Sequence, residues 1–123
     1  MVRTVSPAPL WRFLWIGLTL LILWLSLLPS DSVPSGLGWD KLNHVAAIAV
    51  MTGIAFLALR PRRRAAEAAF LYGACLGILI EILQAALTTT RAAEWSDVLA
   101  DLIGAGLAWG VIRIFRLKQR GAA

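Results

Sequence analysis

Four long apolar runs, separated by short polar breaks, set the plan of this chain. Residues 10–28 form the first run. Nineteen residues at about 1.5 Å each make roughly 28 Å, enough to cross the hydrocarbon core of a bilayer as a helix. Residues 29–38 (PSDSVPSGLG) then bring in Pro, Ser and Gly, which break helices. Residues 40–59 form the second run, polar only in the first turn and at Thr52. A tight Arg-Pro-Arg-Arg-Arg turn at 60–64 leads into the third run, 65–87. Residues 88–94 (TTTRAAE) are the last break, and 97–115 form the fourth run. The pattern predicts an all-α, polytopic membrane protein with four transmembrane helices.

Composition agrees with lipid as the solvent. The chain is 59% hydrophobic and 15% charged, with a mean hydropathy of +0.75. A soluble domain is nearer one quarter charged. At 123 residues one domain is expected. Trp11, Trp15 and Trp24 sit where aromatic belts mark the two interfaces, and Trp39 and Trp95 repeat that role ahead of the second and fourth runs. A cleaved signal peptide is the competing reading of the first run. It is disfavoured because no small-x-small site follows and the run is long. The single Cys75 excludes an intramolecular disulfide and a Cys-based zinc site, and reads as a small packing residue.

The net charge of +5 is less informative than its placement. Ten of the twelve basic residues fall in the N-terminus, the 60–64 turn or the C-terminus; only Lys41 and Arg91 lie elsewhere. Basic segments beside apolar spans are what the positive-inside rule expects of the cytoplasmic side. Both termini are therefore expected in the cytoplasm, and no nucleic-acid partner is expected. The acids other than Glu67 fall in or near the opposite, outer half.

The stretch 81–101 carries the densest chemistry. Glu81 and Gln84 share one helical face, and Asp97 and Asp101 share another. Ionisable groups inside apolar helices cost roughly 2.5 to 3.5 kcal/mol each on insertion scales. Glu81 lies about six residues from the outer end of its span, roughly 9 Å deep. Asp40, Lys41 and His44 occupy the first turn of the second span. The two stretches are expected to meet in one outward-facing cup. Gly73 and Gly77, four apart on the third span, and Gly104 on the fourth allow close helix approach. Asp40-x-Leu-x-His44 and Asp97-x-Leu-x-Asp101 also echo each other, which fits a repeat of two hairpins.

Each of these residues has a plainer reading. Asp40 and Asp97 suit helix N-caps. Arg91 suits charge compensation of Glu81, Asp97 or Asp101. His44 suits a carboxylate partner, and Gln84 an interhelical hydrogen bond. Against these stand three functional readings. Arg91 and Lys41 can meet a phosphate or carboxylate headgroup, with Asp40, Gln84 and Asp101 lining that site. Glu81, His44 and Asp97 can act as acid and base on a lipid-linked substrate. His44 with Glu81, Asp97 and Asp101 can hold a divalent ion, but no HExxH or similar spacing is present. Neither a cofactor nor a metal is expected. A structural subunit, its charges serving only as locks between helices, is the remaining alternative.

The ordered set Asp40-Lys41-x-x-His44, Glu81-x-x-Gln84, Arg91, Asp97 and Gly104 resembles the VanZ-like family of small bacterial membrane proteins. It covers about two thirds of the chain, and the first span fits in position. Where the family favours Asn, this chain has Asp101. The resemblance implies a multi-pass protein of the bacterial cytoplasmic membrane. The family takes its name from a member associated with resistance to the glycopeptide teicoplanin, which acts outside the membrane on cell-wall precursors. A membrane lipid or lipid-linked envelope precursor is the partner this implies.

Overall fold

The computed structural model describes residues 8–29, 40–60, 62–90 and 93–122, with the Asp40 side chain outside the description. Four helices follow in order: α1 (Ala8–Ser26), α2 (Asp40–Leu59), α3 (Ala65–Leu87) and α4 (Trp95–Gly121). No strand occurs among the described residues. Each helix is long and apolar enough to cross a membrane.

Helix α2 and helix α3 keep the bounds the apolar runs predict. The other two differ. α1 stops at Ser26, two residues short of the expected end, because the chain tightens before Pro29. The N–H groups of Leu27 and Leu28 donate three residues back, to Trp24 and Leu25. A residue preceding proline is disfavoured in the helical region. α4 runs on to Gly121, past the apolar run. Arg116, Lys118 and Arg120 end the hydrophobic pattern without ending the helix, since straight-chain basic residues are good helix formers.

α2, α3 and α4 form the tight part of the bundle, with α1 against its side. Between helices in lipid, contact energy comes from close packing rather than from water exclusion. The buried positions are accordingly small: Ala55, Ala58, Ala65, Ala66, Ala69 and Ala105 are fully buried. Ile48, Met51, Leu76 and Ile80 fill the centre. Large side chains such as Leu20, Val50, Leu71 and Val111 point outward, where lipid would solvate them. Cys75 also faces outward, so it is not the packing residue its neighbours suggest.

Glycines fix the closest approaches. A Cβ on Gly104 would run into the backbone carbonyl of Val45 on α2. One on Gly77 would come within 2.5 Å of the Asp101 Cβ on α4. α1 is held more loosely. Its Thr19 hydroxyl lies 2.6 Å from that of Tyr72, and its Trp15 ring meets Tyr72 edge-on at 5.0 Å.

Candidate functional site

α2 and α4 run parallel, so their first turns lie side by side at one end of the bundle. The sequence echo between them becomes a spatial pairing. Lys41 Nζ donates to Asp97 Oδ1 and, at 2.9 Å, to Glu94 Oε2. One turn deeper, His44 Nδ1 lies 3.0 Å from Asp101 Oδ1, and Nε2 lies 3.8 Å from Asp97 Oδ2. Residues with helical spacing on two parallel neighbours thus meet in register.

α3 arrives from the opposite direction and adds Glu81. Its Oε2 accepts the backbone N–H of Glu94 at 3.0 Å, which satisfies a donor just ahead of α4. Gly77, one turn before Glu81, leaves room for the Asp101 side chain against α3. Glu81, Asp97 and Asp101 keep 4%, 7% and 1% of their surface exposed. Among the described residues, one ammonium and one imidazole therefore face four carboxyl groups. Glu94 is the exposed member, and its hydrogen bond from Lys41 holds its carboxyl below the usual carboxylate range. The Ser96 hydroxyl also donates to it, at 3.2 Å.

An apolar cavity of about 700 Å³ opens beside this cluster, between α3 and α4. Ile78, Ile82, Ala85, Ala86, Trp95 and Val98 line it, and Glu81 and Glu94 supply its polar edge.

Five expected residues, Lys41, His44, Glu81, Asp97 and Asp101, come together here. Gln84 takes the plainer of its two readings: its amide donates to the Ser26 carbonyl of α1 at 3.1 Å. Asp97 is not an N-cap. It is the third residue of α4, and Glu94 occupies the capping position without a side-chain cap bond. Asp40 opens α2, and its side chain and Arg91 lie outside the described residues. Sequence reasoning gave Glu94 no role, although it is Lys41's second partner. Its place immediately before an interfacial Trp at a helix start was the available signal.

The arrangement can do two kinds of chemistry. A histidine oriented by a carboxylate can move protons. His44, Glu81 and Asp101 also offer ligand atoms that all lie within 4.8 Å of one another, a grouping close enough for side-chain rotation to gather them around a metal ion.

Comparison with curated proteins and with solved structures gives no match. A sequence model of the family described as VanZ/LLP1 matches residues 15–116, a range that contains every residue of the cluster. The match and the four membrane-length helices together make this a multi-pass membrane protein. The chain belongs to the VanZ/LLP1 family.

Proposed function

We propose that this protein binds and handles an anionic, lipid-linked envelope component at the outer face of the bacterial cytoplasmic membrane. One observation carries the reading: a buried polar cluster adjoins an apolar groove, and Glu81 and Glu94 belong to both. An amphiphile has that shape, with its chain in the groove and its head at the cluster. Arg63 and Arg64 lie at the other end of the bundle, beside Arg113 and Arg116, and support the outward orientation with both termini inside.

Lys41 is the described cation at the head position. An ammonium carries three N–H donors, and two are committed to Glu94 and Asp97. An incoming anion takes the third or displaces the exposed Glu94. Arg91, in the loop between α3 and α4, is the further cation this reading calls on.

The test is lipid retention. Ala86 lies on the exposed face of α3 and lines the groove, so Ala86→Trp fills the groove without touching the bundle interior. In lipid nanodiscs, native mass spectrometry with polyprenyl phosphate and phosphatidylglycerol as probes should show retention reduced by Ala86→Trp and by Lys41→Ala. Retention unchanged in both variants contradicts the proposal.

The His44–Asp101 pair favours a second reading, hydrolysis or group transfer on the same lipid-linked substrate. Turnover lost in His44→Gln and Glu81→Gln, with lipid retention intact, would select it.

A further inference from the structure

Glu81 and Asp101 each use one carboxylate oxygen and leave the other without a partner. Glu81 Oε2 accepts the Glu94 N–H, and Asp101 Oδ1 meets His44. Glu81 Oε1 and Asp101 Oδ2 are fully buried and have no hydrogen-bond partner among the described residues. Both side chains are more than nine-tenths buried, at 4% and 1% exposure. A buried polar atom without a partner is costly and rare in folded proteins, and it calls for a specific explanation.

Position supplies one. The two carboxylates and His44 come from three different helices, yet their ligand atoms lie within 4.8 Å of one another. Ligand atoms around a small divalent ion sit about 3 Å apart, so modest side-chain rotation closes the set. His44 Nδ1 and Asp101 Oδ1 already stand 3.0 Å apart, the spacing of two ligand atoms on one ion, so a cation that replaces the proton between them meets both. We propose that His44, Glu81 and Asp101 bind one divalent cation of the manganese or zinc class. One imidazole nitrogen and two carboxylate oxygens form a mixed donor set suited to those ions. The ion's two positive charges balance the two buried carboxylates.

This inference rests on the site proposed above and deepens it. Three protein ligands leave coordination positions open, as in catalytic metal sites. A phosphate or carboxylate oxygen of the lipid head fits such a position. The cation thereby answers how a cluster whose described side chains hold more acids than bases receives an anion. No ligand spacing along the chain signals the site, because each ligand comes from a different helix.

The experiment needs no lipid, so it fails separately from the retention test. The purified full chain is stripped with EDTA in detergent and titrated with Mn²⁺, with free ion read by electron paramagnetic resonance. One ion per chain is expected. Glu81→Gln and Asp101→Asn should each weaken binding about 10-fold or more. Glu67→Gln, at the other end of the bundle, should leave it unchanged. Bound Mn²⁺ should also give a ¹⁴N electron-spin-echo signal that His44→Gln removes. Absence of stoichiometric Mn²⁺ and Zn²⁺ binding by folded wild-type protein overturns the proposal. So does binding that all three ligand substitutions leave intact. Should a variant misfold, the wild-type ¹⁴N signal decides, and its absence overturns the proposal.

Discussion

The two ends of the bundle carry charge in opposite ways. At the Lys41 end, three acids are buried and each meets a partner from another segment. At the far end, the pair Arg113–Glu67 spans 3.0 Å but both side chains are close to half exposed. Arg113 and Arg116 rest over the rings of Trp109 and Phe56 at 5.7 and 5.2 Å. With Arg63, Arg64 and Arg120 they border a cavity of about 450 Å³. One end spreads charge where headgroups and water can reach it. The other draws charge into the bundle and holds it there. Burial with a named partner, rather than the number of charges, is what distinguishes a candidate site from a topology signal.

Substitutions at the two ends should therefore differ in size. The largest effect is expected for Asp101→Ala, which removes the buried carboxylate that meets half-buried His44. Removing one partner of such a pair costs about 3 kcal/mol, read as unfolding free energy in detergent. A near-neutral result would place Asp101 with the exposed charges. Gly104→Ala is expected next. Its Cβ meets the Val45 backbone, which cannot move aside like a side chain, so about 2 kcal/mol should be lost. Gly110→Ala, with open space around it, should cost nothing and can gain up to about 1 kcal/mol in helix propensity. Glu67→Ala at the arginine end should cost less than about 1 kcal/mol, as exposed ion pairs do.

The smallest effect is a pH dependence. Lys41 holds the Glu94 carboxyl below its ordinary value in the folded chain. A lowered folded value means the stabilisation is complete above the ordinary carboxylate range. It is lost as pH falls through the lowered value. Thermal midpoints taken from pH 7 to pH 3 should thus fall more for wild type than for Glu94→Gln over that window. Parallel curves would mean that the Lys41–Glu94 contact contributes nothing.

The helices were legible because lipid-facing and packing positions alike are apolar, so run length alone marks α2 and α3. Run length fails where helix and hydrocarbon part company. Arg116 and Lys118 continue α4 beyond the apolar run, and Pro29 tightens the end of α1 inside it. Within the site, Glu81 and Asp101 stood out as acids in apolar surroundings. The Asp-x-Leu echo contained the parallel register of α2 and α4, although only three dimensions show that Lys41 faces Asp97 and His44 faces Asp101. The Glu81 contact had no signal at all. Its partner is a backbone N–H, and backbone donors look alike in every sequence. Glu94 was overlooked because its role depends on a lysine over fifty residues away.

The central claim is that α2 and α4 join their polar first turns into one buried centre. A double-mutant cycle on His44→Ala and Asp101→Ala, measured by unfolding in detergent, tests it most directly. A joined centre predicts a coupling energy of about 1 to 3 kcal/mol between the two residues. Additivity within about 0.5 kcal/mol would contradict it.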